Sequence, residues 1–174
     1  MGNIDSDNLF QKLLKIGNFP KPNNLPEVKN GVTYIVHGVD RGYQLFRRYV
    51  DGDSRKGLCI SRIIPKRVEE KYGIKGSRWL AESVGNGYLD PNQPTLLGNE
   101  ILQFFKANGE GSMAFLDGLE YLLMKNNFET VSRAVVDTAY EEAALNKGIF
   151  AMAVDPSALD KTTLAILERE LDSI

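Results

Sequence analysis

The sequence is poor in the residues from which many catalytic and metal sites are built. It contains a single cysteine, Cys59, and a single histidine, His37. One cysteine excludes a disulfide within the chain and a cysteine-based zinc site. No apolar run approaches the roughly 20 residues that a membrane span requires, and the N-terminus lacks the basic and apolar segments of a signal peptide. We therefore expect a cytoplasmic protein that does not bind a membrane.

The chain also lacks a strong net charge, which argues against general binding of nucleic acids. It has 21 Lys+Arg and 23 Asp+Glu, a formal net charge of -2. The charges are unevenly distributed, because residues 41–78 contain 11 basic and 4 acidic side chains, whereas residues 79–174 contain 6 and 15. Two interpretations remain open. Either the net charges of the solvent-exposed helix faces differ in sign by chance, or a basic face binds an acidic partner, an anion or a second copy of the chain.

The phosphate-binding motif G-x-x-x-x-G-K-[ST] is absent as well, although its usual counterpart is present. Residues 112–123 predict a buried strand that brings Asp117 and Glu120 to its carboxyl end. In nucleotide-hydrolysing α/β proteins an acid in this place holds the metal ion (the Walker B acid), and the phosphate loop lies opposite it. The sequence therefore predicts the acid without the phosphate loop.

Short apolar segments alternate with helical patterns from residue 31 onward, which predicts the fold class. Such alternation is typical of a three-layer α/β/α domain with a mainly parallel sheet, here of five strands. We predict one domain over residues 31–174. The predicted strands are residues 32–36, 57–61, 78–81, 112–117 and 148–154, and the predicted helices are residues 43–50, 65–72, 94–107, 128–145 and 156–171.

Residues 1–30 are predicted to be an N-terminal arm, a short helix followed by a proline-rich linker. Ser6 or Asp7 can cap the helix. Its apolar positions have helical spacing and are Leu9, Phe10, Leu13, Leu14 and Ile16. A helix of about ten residues is marginally stable alone, so the arm needs a surface on its own domain or on a partner. We take Leu9, Phe10, Leu13 and Leu14, together with Arg47 and Arg48 of the basic segment, as candidate interaction residues.

Polar side chains follow the predicted strands at their carboxyl ends. Ligands of open parallel sheets bind beyond these ends, where the direction of the chain connections reverses. The candidate ligand-binding residues are therefore the polar ones at these positions, namely His37, Ser61, Arg62, Asp117, Glu120 and Asp155.

Three chemistries fit these six residues, and each has a simpler alternative. Residues 37–44 contain two glycines, as a phosphate loop does, but lack its Lys-Ser/Thr pair. His37, Ser61 and an aspartate have the composition of a Ser-His-Asp triad, but Ser61 lacks the G-x-S-x-G elbow. The three acids would suit magnesium together with a nucleotide, or would simply hydrogen-bond the adjoining loops. We predict no catalytic residue, no metal site and no cofactor.

Several short motifs resemble an uncharacterised archaeal family of domains of unknown function. This family is often fused to histidine-kinase, receiver or sensory modules. The resemblance covers roughly residues 32–171. Its motifs are Tyr34-Ile-Val36, Gly42-Tyr43, Phe46, Gly57-Leu-Cys-Ile-Ser-Arg62, Tyr72-Gly73, Trp79-Leu80, Leu116-Asp-Gly-Leu-Glu-Tyr-Leu122, Asn127-Phe-Glu129 and Val154-Asp-Pro156.

The resemblance implies a fold similar to RecA/KaiC-type domains that have lost their ATPase residues. By that similarity Asp117 matches the Walker B acid. Ser61 and Arg62 match positions at which KaiC-like proteins have catalytic glutamates, and neither can act as a base. The resemblance also implies a signalling context. We therefore expect a non-enzymatic regulatory module that binds a protein partner or itself; the alternatives are a small-molecule or nucleotide sensor and, third, a hydrolase.

Overall fold

The computed structural model describes residues 24–50, 56–83 and 85–174, which form one all-parallel β-sheet with helices on both faces. The strand order is β4-β3-β2-β5-β6-β1-β7. The predicted α/β class and parallel sheet are confirmed, but the predicted count of five strands was wrong, because the described sheet has 7. The strands are β1 (Thr33–His37), β2 (Gly57–Ser61), β3 (Arg78–Leu80), β4 (Tyr88–Leu89), β5 (Met113–Asp117), β6 (Ile149–Val154) and β7 (Asp172–Ser173).

The helices connect these strands and differ from the prediction mainly at their ends. Helix α1 begins directly after β1, four residues earlier than predicted. The last helix begins at Lys161 because Asp160 caps it, its carboxylate accepting a hydrogen bond of 2.9 Å from the Thr163 N–H. The helices are α1 (Val39–Val50), α2 (Pro65–Tyr72), α3 (Pro94–Asn108), α4 (Leu119–Lys125), α5 (Phe128–Val131, then a π-helical segment Ser132–Asp137, then Thr138–Asn146) and α6 (Lys161–Glu170).

The alternation of side chains along each strand creates two cores, one on each face of the sheet. On one face, α1 and α2 cover Val36, Cys59 and Phe115. On the other face, α3, α4, α5 and α6 cover Ile35, Ile60 and other strand residues. Every residue of β5 and β6 is buried, which is why these central strands are continuous apolar runs in the sequence.

The chain leaves β2 and its neighbour β5 on opposite faces of the sheet, and this point of the sheet positions the candidate site. The helix that follows β2 is α2, on one face, whereas the helix that follows β5 is α4, on the other. Adjacent strands whose connections leave on opposite faces form the crevice in which open α/β sheets bind ligands. The register aligns Ser61 with Asp117 at this point.

Helix α5 is irregular where it crosses α3. Gly98 of α3 lies against the π-helical segment so closely that a Cβ atom on Gly98 would be 1.7 Å from the carbonyl oxygen of Ala134. A glycine is therefore required for the two helices to approach to this distance. The crossing holds α3 and α5 together over the core on that face.

The linker between the N-terminal arm and β1 packs against α1. Leu25 belongs to the core of that face, and the Arg48 guanidinium donates hydrogen bonds of 3.0 Å to the Leu25 carbonyl and 2.9 Å to the Pro26 carbonyl. The four apolar candidates of the arm, Leu9, Phe10, Leu13 and Leu14, lie outside the described residues. Among the helices of the described ranges, none combines the length and apolarity needed to cross a membrane.

Candidate functional site

The candidate site is a buried cluster of Tyr43, Ser61 and Asp117 at the carboxyl ends of β2 and β5. Asp117 is the last residue of β5, and Gly118 turns the chain away into α4 with φ 143°. That backbone conformation disfavours L-residues, and a Cβ atom on Gly118 would be 2.7 Å from Leu80. Tyr43 reaches the cluster from α1. Only 6% of Asp117 is exposed, and Ser61 and Tyr43 are fully buried.

A directional chain of hydrogen bonds connects the three side chains. The Tyr43 hydroxyl donates to Asp117 Oδ2 at 2.6 Å and is also hydrogen-bonded to Ser61 Oγ. Because the Tyr43 hydrogen is directed at the carboxylate, Ser61 must donate to the Tyr43 oxygen. Ser61 Oγ in turn accepts from the Ile63 N–H at 2.9 Å. The serine hydroxyl is thus engaged as both donor and acceptor.

Burial raises the pKa of three groups in and next to this cluster, Asp117, Tyr43 and Cys59. Desolvation raises the pKa of Asp117, while the Tyr43 hydrogen bond and the Arg62 charge oppose that rise. Burial and the Asp117 carboxylate raise the pKa of Tyr43 far above its usual range. The pKa of the neighbouring Cys59 thiol is also raised by burial and by Asp117. Tyr43 and Cys59 therefore stay protonated, which makes the thiol unreactive.

The Tyr43 ring is held in place by aromatic packing. It stacks on Tyr72 of α2, with ring centroids 4.0 Å apart and planes 7° apart, and it meets Phe115 edge-on at 4.9 Å. The Tyr72 hydroxyl donates to Asp40 Oδ1, which also accepts from Lys71 at 2.8 Å. Burial and the Asp40 hydrogen bond raise the pKa of Tyr72 to about 12. Both helices of this face thus fix the position of the hydroxyl.

Arg62 borders the cluster, but its side chain points outward and is exposed. Its guanidinium lies 3.4 Å from the centroid of the Tyr121 ring, a cation–π contact. Its backbone N–H donates to the Asp117 carbonyl at 2.9 Å, and its carbonyl accepts from Trp79 Nε1 at 3.3 Å. Arg62 is therefore the candidate whose charge is both accessible and next to Asp117.

Glu120 and Asp155 bond the loops around the site. Glu120 was predicted at the end of a strand, which was wrong: the strand ends at Asp117, and Glu120 lies in the first turn of α4. Its carboxylate accepts from the Asp155 N–H at 2.7 Å, and burial raises its pKa. Hydrogen bonds from Ser157 at 2.9 and 2.6 Å hold the Asp155 carboxylate and lower its pKa. Within the described residues, no group of three or more His, Cys, Asp or Glu side chains is placed to hold a metal ion.

His37 is not brought to Ser61. Its Nε2 atom lies 3.1 Å from Glu168 Oε1 of α6. Two strands, β6 and β5, separate β1 from β2 in the sheet, which places the two strands about 14 Å apart at the usual spacing of roughly 4.8 Å. The described geometry therefore does not assemble a Ser-His-Asp triad.

The connection from β1 to α1 is a single residue. Gly38, with φ 103°, donates its N–H to the Val154 carbonyl at 2.9 Å, and α1 begins at Val39. A phosphate loop needs several consecutive residues between strand and helix to surround a phosphate with backbone N–H groups. Asp40 also places a negative charge in the first turn of α1, which repels an anion at that end.

Tyr43 is the residue of the cluster that the sequence did not single out. Gly42-Tyr43 was one of the motifs of the family resemblance, and Tyr43 was predicted to begin a helix, but it was given no role in the site. Gly42 allows this close approach, since a Cβ atom there would be 2.8 Å from Ala153 and from Phe115. A tyrosine on the buried face of a helix requires a partner for its hydroxyl, and that requirement is the signal that could have identified it.

The titration of Asp117 yields a prediction for the Asp117→Asn variant. The raised pKa means that the folded state binds more protons than the unfolded state between the two pKa values, so stability falls as the pH rises through that window. Asparagine does not titrate and can still accept the Tyr43 hydrogen bond. We expect the free energy of unfolding of Asp117→Asn, relative to wild type, to increase as the pH rises from the ordinary aspartate pKa of about 3.9 through the raised pKa of the folded state. Urea denaturation at several pH values measures this difference.

The carboxyl groups whose pKa values are lowered serve as the internal reference for that measurement. Asp40, Glu82, Asp90, Asp155 and Asp160 titrate in both proteins with the opposite sign, so their contributions cancel in the difference. A difference that stays constant, or that decreases as the pH rises, would contradict the burial of an ionisable Asp117.

Comparison with known proteins places the domain in a family. A family model described as a protein of unknown function (DUF835) matches residues 35–171. The match includes every strand from β1 to β6 except the first two residues of β1, and it includes the cluster of Tyr43, Ser61 and Asp117. No curated protein matches the chain.

Proposed function

The chain belongs to the DUF835 family, and we propose that it is a cytoplasmic, non-enzymatic regulatory module that acts in signal transduction by binding a protein partner or a second copy of itself. The observation that carries this proposal is the state of Asp117. The acid that would bind a metal in an ATPase is buried here and hydrogen-bonded to Tyr43 at 2.6 Å. Its neighbour Ser61 is engaged as both donor and acceptor.

The path of the chain supports a degenerate RecA/KaiC-like origin for the module. If β1 corresponds to the phosphate-loop strand and β5 to the acid strand, then β6 lies between them in the sheet. The single residue between β1 and α1 leaves no loop to surround a phosphate. We propose that β5 has kept Asp117 as a structural residue, and that the Tyr43 hydroxyl contacts its carboxylate where a metal ion would in an ATPase.

The distribution of charge supports a protein partner. Helices α1 and α2 lie on the same face of the sheet, and residues 39–75 contain ten basic and five acidic side chains. Three of these acids are close to lysines, at 2.8 Å for Asp40–Lys71, 3.9 Å for Glu69–Lys75 and 4.0 Å for Glu70–Lys66. The net positive charge of this segment would attract an acidic surface and accelerate its association.

The two candidate arginines have different roles in this proposal. Arg48 holds the linker through the Leu25 and Pro26 carbonyls, so it connects the arm to the domain. Arg47 is exposed and lies beside Gly73, where a Cβ atom would be 3.3 Å from its guanidinium carbon. We propose that Arg47, together with the arm residues Leu9, Phe10, Leu13 and Leu14, contributes to the interaction surface.

Light scattering tests self-association through the arm. We expect deletion of residues 1–22 to lower the mass of the particle in solution from that of an oligomer to that of a monomer. The deletion stops before Leu25 because that side chain belongs to the core. The variant Leu9→Asp/Leu13→Asp keeps the full chain length and removes only two apolar side chains. It therefore separates the effect of these side chains from the effect of shortening the chain. An unchanged mass in both variants would remove self-association from the proposal.

The alternative, a sensor of small anionic ligands or nucleotides, is favoured by Arg62. Its charge is accessible beside the crevice between β2 and β5. A thermal-shift screen with magnesium and nucleotides distinguishes the two functions, because a ligand that binds only the folded state raises the melting temperature. A shift that Arg62→Gln or Asp117→Asn abolishes would favour the sensor. The hydrolase hypothesis, in turn, requires that a serine-reactive probe label Ser61, and we expect no labelling.

A further inference from the structure

The chain contains three Asn-Gly pairs, at which an asparagine side chain can react with the backbone nitrogen of the next residue. They are Asn30-Gly31, Asn86-Gly87 and Asn108-Gly109. A glycine in the second position leaves this nitrogen unshielded, because glycine has no Cβ atom. Since the dipeptide is the same in all three places, the tertiary structure decides which of the three asparagines can react.

The first pair is held by hydrogen bonds at both of its reacting groups. The Gly31 N–H donates to the Gly148 carbonyl at 2.6 Å, and Asn30 Oδ1 accepts from the Tyr49 hydroxyl at 3.3 Å. An N–H that donates to a carbonyl is not accessible to a base in the solvent, and the side chain cannot turn toward Gly31 without losing its own partner. The fold therefore protects Asn30.

The third pair is held in the same way at the end of α3. The Gly109 N–H donates to the Phe105 carbonyl at 2.8 Å, and the Asn108 side-chain amide donates to the Phe104 carbonyl, also at 2.8 Å. Both bonds must break before the side chain can reach the Gly109 nitrogen. The fold therefore protects Asn108 as well.

The second pair differs, because it lies directly before the edge strand β4 and neither of its reacting groups is engaged. Across the part of the chain that the structure describes, no hydrogen bond holds the Asn86 side chain or the Gly87 N–H. Asn86 is exposed. Gly87 has a φ of 93°, and apart from its chain neighbours no heavy atom lies within 4 Å of the position that a Cβ atom would take. The Asn86 side chain thus has both the freedom and the space to turn toward the Gly87 nitrogen.

We propose that Asn86 is a site of spontaneous deamidation, in which the backbone nitrogen of Gly87 is the nucleophile. A base in the solvent takes the proton of the Gly87 N–H, and the nitrogen electron pair forms a bond to Asn86 Cγ. The bond between Cγ and Nδ2 breaks, and Nδ2 takes up protons and leaves as ammonia, which closes a succinimide ring. Water then opens the ring at either carbonyl carbon, which gives aspartate or isoaspartate. The net reaction consumes a water molecule and releases an ammonia molecule.

The reaction changes both the charge and the backbone at this edge of the sheet. Either product adds a negative charge. Isoaspartate also inserts a Cβ atom into the main chain directly before Gly87, whose carbonyl accepts from the Trp79 N–H at 3.0 Å. Strand β4 is 2 residues long and pairs with β3, so the loss of this bond weakens a strand that has few others. The reaction requires no partner and goes beyond the proposed function.

Peptide mapping by mass spectrometry of the full-length protein tests the proposal, with the other two pairs as matched controls. The protein is incubated at mildly alkaline pH. Trypsin then separates the three pairs into the peptides 30–41, 79–106 and 107–125. Deamidation raises the mass of a peptide because OH replaces NH₂. A parallel incubation in urea measures the same three rates without the tertiary structure.

The variant Asn86→Gln identifies the reacting residue. Glutamine keeps the amide, but its longer side chain closes a ring much more slowly. The gain in mass of peptide 79–106 should therefore disappear in this variant. A gain that persists would come from another asparagine of the same peptide and would overturn the proposal.

In the folded protein we expect peptide 79–106 to gain mass at least about tenfold faster than either control peptide, because the control pairs react only after their segments open. In urea the three rates should become similar. Equal rates in the folded protein would overturn the proposal. A ratio that stays the same in urea would assign the difference to the neighbouring sequence and would also overturn it. None of these outcomes depends on whether a partner exists, so failure here is distinct from failure of the proposed function.

Discussion

Replacing Tyr43 by Phe should lower the free energy of unfolding by about 1.5–3 kcal/mol, the usual range for a hydrogen bond to a charged group. The substitution removes only the hydroxyl, and it retains the ring that stacks on Tyr72 at 4.0 Å. Asp117 loses the donor at 2.6 Å, and Ser61 loses its acceptor. Urea denaturation at pH 7 measures the change.

Two further variants connect this loss to the Tyr43–Asp117 bond. Tyr72→Phe also removes a tyrosine hydroxyl from the stacked pair, but its partner Asp40 is exposed, so we expect a loss below about 1 kcal/mol. In the Asp117→Asn background the cost of Tyr43→Phe should fall by about 1 kcal/mol or more, because an unpaired neutral amide costs less than an unpaired carboxylate. Equal costs for Tyr43→Phe in both backgrounds would show that the hydroxyl does not stabilise Asp117.

Replacing Gly98 by Ala should destabilise the domain by about 3 kcal/mol or more, at the upper end for overpacking. A Cβ atom at 1.7 Å from the Ala134 carbonyl oxygen cannot be accommodated by rotating a side chain, since the obstacle is backbone. Helices α3 and α5 would have to separate. The expected sign is diagnostic, because Gly→Ala within a helix ordinarily stabilises by about 0.5–1 kcal/mol. Thermal and urea denaturation both measure the effect.

Asn99→Ala is the matched control for Gly98→Ala. It introduces the same residue one position later in α3, at an exposed site. We expect its effect to stay within about 0.5 kcal/mol of wild type. If Gly98→Ala were neutral or stabilising, the close crossing of α3 on the π-helical segment of α5 would be disproved.

The parts of the fold that the sequence predicted are those with strong periodicity. The buried strands β5 and β6 are apolar runs, and α3 and α5 are long enough to show the helical period. The two-residue strands β4 and β7 were missed because two residues carry no period, and their pairing depends on neighbours distant in the chain. Helix α4 was missed because the apolar run of β5 continues into it, and only the Gly118 turn divides them.

The candidate site was predictable as a set of positions but not as an arrangement. Ligands of parallel sheets bind beyond the carboxyl ends of the strands, and this made Ser61, Asp117 and His37 equally good candidates. The strand order, which the sequence did not reveal, brings Ser61 opposite Asp117 and keeps His37 beside Glu168. Tyr43 entered the cluster from another element, and a helix period alone does not show what a buried hydroxyl contacts.

The sequence by itself determined that the phosphate-binding motif is absent, because G-x-x-x-x-G-K-[ST] occurs nowhere in these 174 residues. It also determined the α/β class, since short apolar strands that alternate with helices along the chain are compatible with few other folds. Only the tertiary structure decided what surrounds Asp117. Its carboxylate is buried and accepts a hydrogen bond from the Tyr43 hydroxyl, and both the burial and the donor come from elements far away in the chain.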